Sequence, residues 1–537
     1  MYSEFISSLK KEFSGYSHKK FVKDLVAGLT VTAVALPLAL AFAISSGVDA
    51  ASGLIAAIVS SLIIGALSGG YYQISGPTGT MTVILMSTMA RYGMTGIFIL
   101  TFIAGVVRLL CGIFKLGELV NIIPAPVIVG FTSGISIIIA FGQINNLFGV
   151  MSEGITVVDK LISYTELGFN INFVSLICGI LIIFFMIFYP KKWNAVIPAP
   201  LVAIIIATVL VMVSGIDIEQ VGNMPSTLLP AQRLQFADFN IQMVKNLILP
   251  SISVAVLAMI ETLLCGASVG KKIGVPLLNN QELIAQGIGN MVIPFFGGIP
   301  STAALARSSF AINSDAQTRL AGIISGVVMV ICMLFLSGFM SQIPLSALAG
   351  VLLVTAWNMN DWKEIKYLFS HKLISGIIKF LATMIITVIW DLNTAIFAGI
   401  IIGCISFIAK SAAIDIDIEC INLKKIGIEK SKNAEKWRII YISGPLFFMN
   451  AYKLKSELMK VDDKNLILSM RGVPLVDITA IKIFLELYNL KKENGRELIF
   501  SSMNRSVVKV FKQSGINEHL ADEVMVQSVD KFLREIL

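Results

Sequence analysis

Charge is what this sequence has least of. Asp, Glu, Lys and Arg make up 14% of its 537 residues, against 56% apolar, whereas a soluble protein carries about 25% charge. So few charges cannot cover a water-soluble fold of this size, and much of the surface must face lipid. Histidine is scarcer still: there are three in the chain, and they form no ligand cluster, so no metal site is assigned. The six cysteines (Cys111, Cys178, Cys265, Cys332, Cys404, Cys420) have no paired short spacing. They read as small core residues in a reducing interior, not as disulfides. Gly266 to Lys272 matches a phosphate loop only superficially, because the spacing differs and no Ser or Thr follows the lysine. No nucleophile–base pair is visible in the C-terminal part of the chain. The chain therefore reads as a non-enzyme without a cofactor, and with no second nucleotide-binding signature it does not read as a pump driven by ATP from this chain alone. Met1 to Lys23 has no apolar core ahead of a cleavage site, so it is no secretory signal. The net charge of +8 fits cytoplasmic lysines facing anionic lipid and gives no reason to invoke nucleic acid.

What the chain does have is apolar runs. A helix needs about 20 such residues to cross the hydrocarbon layer. Runs near that length start around Asp24, Ala50, Thr95, Asn121, Ile171, Ile197, Lys245, Thr318, Gln342, Leu373 and Leu392, with shorter ones near Thr78, Gln281 and Thr302. The total is 14 segments. The loops 150–170 and 215–240 are acidic, while those holding Lys191-Lys192, Lys271-Lys272 and Lys363/Lys366/Lys372 are basic. With both termini inside, every basic loop falls on the cytoplasmic face of a multi-pass cytoplasmic-membrane protein. Charge then rises sharply: residues 414–537 hold 20 Lys/Arg and 17 Asp/Glu. The expected divisions are a cytosolic N-terminal segment 1–20, a transmembrane domain 21–413, a linker 414–435 and a soluble domain 436–537.

The membrane part repeats itself. Ile103-Ala-Gly-Val-Val-Arg-Leu-Leu-Cys-Gly-Ile-Phe-Lys-Leu-Gly117 aligns with Ile324-Ser-Gly-Val-Val-Met-Val-Ile-Cys-Met-Leu-Phe-Leu-Ser-Gly338, with identity at seven of fifteen positions. Ile123-Pro124 recurs as Ile343-Pro344. Halves separated by seven segments lie in opposite orientations, the inverted-repeat plan of secondary transporters. Such folds bind substrate near the midplane, where interrupted helices aim free N–H groups and positive dipole ends at an anion. Each half offers one break. Gly69-Gly70-Tyr-Tyr-Gln-Ile-Ser-Gly-Pro77-Thr78-Gly79-Thr80 precedes a short apolar run, and so does Phe295-Phe296-Gly297-Gly298-Ile-Pro300-Ser301-Thr302-Ala303-Ala304. In both, Pro and Thr stand at the start of a short helix, where Pro costs no bond and Thr can cap. The alternative is a pair of ordinary kinked helices packed through small residues.

Charges inside lipid-length runs are costly unless they face a cavity or a partner. Glu261 is too deep in its run to reach the interface, and it reads either as a coupling site for a proton or cation or as a protonated core carboxyl. Arg307, one turn into the second short helix, adds positive field at the break or makes a packing salt bridge. Arg108 and Lys379 read equally as bland, partly buried or reaching a head group, and as functional, and Asp391 reads as interfacial. Beyond residue 436 the pattern alternates. Strands are expected at 438–443, 465–470 and 497–501 and helices at 447–461, 478–490 and 506–514, a small α/β sandwich.

These features resemble the SulP family of anion transporters, with a C-terminal module similar to a STAS domain. The resemblance is carried by Asp24-Leu-Val-Ala-Gly28-Leu-Thr, Ala35-Leu-Pro37-Leu-Ala-Leu-Ala-Phe42-Ala, Gln73-Ile-Ser-Gly-Pro77-Thr78-Gly79, Phe296-Gly-Gly-Ile-Pro300 through Arg307-Ser308, and Val476-Asp477-Ile478-Thr479-Ala480. It implies a seven-plus-seven inverted repeat with core and gate domains, and a homodimer. It further implies an anion held by the Thr78 hydroxyl and the backbone amides of Ala303 and Ala304, in a pocket lined by Phe42 and biased by Arg307. In the sodium-coupled bicarbonate branch an Asp and a Thr one turn later hold the cation, and those positions here are Glu261 and Cys265. A further hydroxyl is replaced by Leu305. Thiol is a poor ligand for a hard cation, so the expectation is a proton-coupled sulfate importer working by alternating access. Alternatives are a sodium–bicarbonate symporter and a small-dicarboxylate transporter; from other classes, an anion channel or a ligand-sensing membrane protein. Asp477 and Thr479 are the expected regulatory positions of the STAS module, which implies a cytosolic partner.

Overall fold

A chain crossing lipid must satisfy its backbone from within, which makes each apolar run a helix. The computed structural model describes residues 2–117, 124–152, 157–190, 193, 197–222, 224, 226–389, 398, 401–403, 405, 408–421, 434–461, 463–516, 525–526 and 528–536. Two compact units divide at Ile400.

The first unit opens with a short polar helix, α1 (Tyr2–Glu12), followed by α2 (His18–Ser45). Its remaining main helices are α3 (Ala50–Leu67), α4 (Thr82–Ile113), α5 (Ala125–Gly142), α6 (Phe173–Phe188), α7 (Ala199–Ser214) and α8 (Ile241–Ile273). After them come α9 (Asn279–Val292), α10 (Leu305–Asn313), α11 (Leu320–Phe335), α12 (Leu345–Met359) and α13 (Ile374–Ile389). Five stretches among the described residues are long and apolar enough to cross a membrane, and α6, α7, α11, α12 and α13 are shorter apolar helices. The runs expected near Thr78 and Thr95 are two helical stretches, together α4, that meet at a kink at Gly93, whose φ of 64° is non-helical and strained for any residue with a side chain. The run from Leu392, Asp391 and the Lys191-Lys192 pair lie outside the described residues, apart from scattered positions.

Small residues set the helix contacts. A Cβ on Gly28 would lie 2.7 Å from Ile324 Cγ2 and 2.8 Å from Ala321 O, so α2 and α11 pack at backbone distance. Beside that contact Thr32 Oγ1 reaches Ser325 Oγ at 3.0 Å. Gly105 on α4 faces the α9 backbone, and Gly287 on α9 returns the contact against Leu109. At the end of the unit that carries α1, Glu12 and Arg319 form an almost wholly buried ion pair at 2.8 Å.

The second unit is a five-stranded sheet of order β3 (Asp415–Cys420), β4 (Trp437–Ser443), β5 (Asn465–Gly472), β6 (Leu498–Ser501) and β7 (Met525–Val526). The β3–β4 pair is antiparallel and the others are parallel. Helices α14 (Ala451–Met459), α15 (Ile478–Glu493) and α16 (Arg505–Gln513) pack on one face, against Ile440, Ile442, Leu468 and Phe500. On the other face α17 (Val529–Ile536) sets Val529 and Leu533 against Trp437, Ile439 and Ile467. Two expectations change. Residues 415–420 are an edge strand where a linker was expected, because their alternating Ile side chains and free backbone extend the sheet. Helix α14 begins four residues later than expected, because the Asn450 side chain accepts from Phe447 N at 3.0 Å and closes a turn first.

Candidate functional site

The two sequence breaks meet. Strands β1 (Ser75–Gly76) and β2 (Thr302–Ala303) run antiparallel, Ser75 opposite Ala303 and Gly76 opposite Thr302. A short helix leaves each strand: a 3₁₀ turn, Gly79–Met81, leads into α4, and α10 starts at Leu305. The kinked-helix alternative fails, because both segments are extended and paired to each other across more than two hundred residues of sequence. Antiparallel pairing of equivalent segments is what inverted halves produce.

Helix α8 lies along the crossing and offers one face to it. Thr262 Oγ1 contacts Thr302 Oγ1 at 2.6 Å, and Thr302 Oγ1 donates to Ala258 O at 2.9 Å. Gln73 Nε2 donates to Thr262 O at 3.0 Å. One turn along, the Cys265 thiol donates to Ser308 Oγ at 3.4 Å, and that hydroxyl accepts from Ile74 N at 3.0 Å. Between these contacts lies Glu261. Its Oε2 is 3.0 Å from Thr78 Oγ1 and 2.7 Å from Thr80 Oγ1, and the two hydroxyl oxygens are 2.8 Å apart. The three oxygens form a closed triangle.

A positive charge stands next to this triangle. Arg307 is buried and donates through Nη2 to Pro77 O at 2.6 Å, one peptide from Thr78. Its Nε and Nη1 have no hydrogen-bond partner among the described residues. A buried donor without a partner is costly, and a buried charge more so. Glycine makes room for the guanidinium: a Cβ on Gly76 would fall 1.9 Å from Nη1. Phe42 is buried and packs against Gly79, where an added Cβ would meet Phe42 Cε1 at 2.9 Å and Ile139 Cδ1 at 2.3 Å.

The sequence reading of Thr78, Phe42, Arg307, Glu261 and Cys265 thus names residues that the structure gathers at one crossing. Its reading of Ala303 and Ala304 needs correction. Ala303 N–H donates to Thr262 Oγ1 at 3.3 Å, and Ala304 N–H donates to Ile74 O at 3.1 Å. The Ala303 amide is taken by an α8 side chain and the Ala304 amide by the first break, because the chain stays extended through Ala304 and turns helical only at Leu305. The amides without an intrahelical partner are those of the first turn, Leu305, Ala306 and Arg307. The cap residue Ala304 has no side-chain acceptor to offer them. Leu305 and Ala306 are exposed, whereas Ala303 is buried. The uncapped positive end of α10 is therefore open just where the crossing ends.

Thr80, Thr262, Thr302 and Ser308 were not singled out from the sequence. The signal was a density of hydroxyls, Ser75, Thr78, Thr80 and Thr82 among them, in a stretch otherwise suited to lipid. Arg108 is wholly buried and not at a head group; it donates to Ala104 O at 3.3 Å and Ser301 O at 2.8 Å. In the second unit, Asp477 caps α15, accepting from Ala480 N and, across the turn, from Phe448 N, both at 2.9 Å. Thr479 is half-buried in the first turn of that helix.

Comparison with known proteins places this geometry. The sulfate permease family profile matches residues 21–383, and the STAS domain profile matches residues 426–531. The putative sulfate transporter YvdB of Bacillus subtilis is 32% identical over 504 residues, covering 91% of this chain and 92% of that one. The bicarbonate transporter BicA of a Picosynechococcus strain is 28% identical over 484 residues, covering 85% and 84%. Among solved structures, the murine solute carrier 26 family member A9 anion transporter aligns with a TM-score of 0.84 at 18% identity, covering 97% of this chain and 92% of that one. The transmembrane domain of a cyanobacterium BicA aligns at 0.65 and 27% identity, covering 72% and 98%. With its crossed half-helices, its apolar helices and its C-terminal α/β module, this chain belongs to the sulfate permease family and carries a STAS domain.

Proposed function

We propose that this family member imports a small oxyanion, sulfate first, across the cytoplasmic membrane together with a proton, by alternating access. The observation that carries the reading is the oxygen triangle of Glu261, Thr78 and Thr80. Three short O···O contacts call for three protons, and two hydroxyls supply two. A proton on Glu261 completes a ring in which each oxygen donates once and accepts once. The same proton removes the negative charge beside Arg307, so the guanidinium and the first-turn amides of α10 are left with a net positive field. At an effective dielectric of about 20, a carboxylate roughly 6 Å from the anion opposes it by about 3 kcal/mol, a hundredfold in affinity. Proton and anion then favour each other's binding by the same factor, which is the thermodynamic content of symport. With Glu261 ionised the site repels the anion, and with Glu261 protonated it accepts it, so uptake rises as the outside becomes more acidic.

The test is uptake of labelled sulfate into proteoliposomes under an imposed pH gradient, inside alkaline. The parent protein should accumulate sulfate in proportion to the gradient. Glu261→Gln, permanently neutral, should keep binding and equilibrative exchange while losing the dependence on the gradient. Accumulation that ignores the gradient in the parent, or persists unchanged in Glu261→Gln, removes the proton claim. Large unsaturable currents would make the protein a channel instead. Anion-dependent stabilisation without any flux would make it a sensor.

A second reading, sodium–bicarbonate symport, draws on the same triangle. Cys265 supplies no oxygen, but Thr78, Thr80 and Glu261 together present the oxygen face a hard cation needs. The relatives at BicA support considering it. Sodium-dependent, pH-gradient-independent uptake of labelled bicarbonate would select this reading over the first. For assembly we propose a homodimer, tested by light scattering of the detergent-solubilised protein.

A further inference from the structure

Helix α9 holds three buried polar residues at one-turn spacing, Glu282, Gln286 and Asn290, in a helix whose neighbours are apolar. None of them belongs to the oxygen triangle or to the Arg307 side of the crossing. Each grips an unwound segment. Glu282 Oε2 accepts from Ser68 Oγ at 2.6 Å and from Gly69 N at 2.9 Å, where α3 gives way to the first break. Gln286 Nε2 donates to Glu282 Oε1 at 2.9 Å and to Ser75 Oγ, on β1, at 2.7 Å. Asn290 takes hold of Ser301, the residue before β2, by both main-chain groups: Oδ1 accepts from Ser301 N at 2.8 Å and Nδ2 donates to Ser301 O at 2.9 Å. Arg108 adds a donor to that same carbonyl at 2.8 Å.

The geometry has a consequence for register. Residues four apart on a helix stand one turn apart on the same face. Gln286 fixes the first strand and Asn290 the second, so the rise of a single turn of α9 sets where Ser75 lies against Ala303. That pairing in turn decides where Thr78 and Arg307 come to rest, since each lies within a few residues of its strand. Two residue pairs form the β1–β2 ladder, too few to define register alone. Helix α8 also holds both breaks, through Gln73 and Thr302; α9 adds a hold on Ser75 and on Ser301, and a slip of one residue would break both and turn every side chain to the opposite face. The Gln286 orientation is fixed as well: turning its amide over would set its oxygen against the Glu282 carboxylate.

We propose that Gln286 and Asn290 are positioning residues for transport, which act through Ser75 and Ser301 to hold the two half-helices in the register that makes the anion site. The inference rests on the reading of the crossing as that site. A merely structural role would lower stability and nothing else, so the test separates affinity from turnover and from melting temperature. Gln286→Met keeps the volume and removes the donor, while Ser75→Ala removes the acceptor. Uptake of the labelled anion that the parent takes up, sulfate or bicarbonate, is measured at varied concentration in proteoliposomes.

Each single variant is expected to raise KM about tenfold, the scale of a sub-ångström misplacement of binding groups, with the maximal rate changed less than twofold. The double variant should be no worse than Gln286→Met alone, because the one contact that Ser75→Ala breaks is already lost there together with the bond to Glu282. Leu283→Ala, a buried neighbour on the same helix, should lower the melting temperature and leave KM alone. Unchanged KM in both single variants, or effects that multiply in the double, would overturn the proposal. Ser75→Ala loses one oxygen and should fold even if Gln286→Met does not, and its KM alone then decides. Thr78→Val separates the two ideas. If its KM is unchanged, the site reading itself is at fault; if its KM rises while those of Gln286→Met and Ser75→Ala do not, only the positioning role is lost.

Discussion

At the scale of single residues, the crossing is defined by an absence at Gly76. The guanidinium of Arg307 occupies the space a side chain would need, with Nη1 1.9 Å from the position of a Cβ. A contact under 3 Å with a buried, charged group cannot be relieved by rotating the end of an exposed side chain, because Nη2 is already held by Pro77 O. Gly76→Ala should therefore displace Arg307 and lower anion affinity at least tenfold, about 1.4 kcal/mol. The helices themselves should stay folded. Thermal stabilisation by added sulfate is the measurement: the parent's melting temperature should rise with sulfate and that of Gly76→Ala should not. An equal rise in both would show that Arg307 does not bias the site. Sequence composition marked Arg307 as costly in lipid. It could not reveal that the residue opposite must be glycine, since nothing local to Gly76 differs from the other glycines of its loop.

At the scale of elements, the positions where helices break were legible, because Gly-Gly, Pro and Thr in an apolar context have local causes. What the breaks bond to was not. Ala303 and Ala304 sit where an uncapped helix start is expected, yet their amides are taken by Thr262 and Ile74, partners 41 and 230 residues away. These contacts with a distant helix and a distant break move the free amides on to Leu305. The motif around Asp24 shows the same limit: the letters carry a family resemblance, but their physical role is a long-range cap. Asp24 is wholly buried and accepts from Gln317 N at 2.6 Å, Thr318 N at 3.0 Å, Thr318 Oγ1 at 2.6 Å and Tyr16 OH at 2.9 Å. It thereby ties the start of α2 to the turn that opens α11. Asn at this position keeps one acceptor oxygen and sets an N–H₂ against donors. Asp24→Asn should cost about 3 kcal/mol, the scale of losing charge-assisted bonds and burying an unmatched donor. The loss should be read as a lower melting temperature in detergent, with the KM of the surviving protein unchanged. A changed KM would instead place Asp24 in the transport cycle.

At the scale of the whole molecule, the chain is two folds with different solvents, and the step in charge density near residue 413 marks the change between them. The step misplaces the start of the soluble fold, because charge counts cannot tell a polar linker from an edge strand. Strand β3 carries Asp415, Asp417 and Glu419, exposed and alternating, which is how a protein discourages another chain from adding to its sheet. Behind that acidic edge lies β4, Trp-Arg-Ile-Ile-Tyr-Ile-Ser, paired to β3 from Asp415↔Ser443 to Cys420↔Arg438. Its Ile440 is fully buried and Ile442 nearly so. A fragment of residues 436–537 would leave β4 as an open, apolar edge with unpaired backbone groups. A fragment of residues 412–537 keeps the acidic strand in place, and also the Ala412 carbonyl that accepts from Asn450 Nδ2 at 3.2 Å. On an exposed edge, ladder bonds are worth about 0.5 kcal/mol each net, and a ladder of this length carries about six of them, so the shorter fragment should be less stable by about 3 kcal/mol in urea. It should also form larger particles in light scattering. If the two fragments unfold at the same midpoint and scatter alike, β3 contributes nothing to the module, and the soluble fold begins at β4 after all.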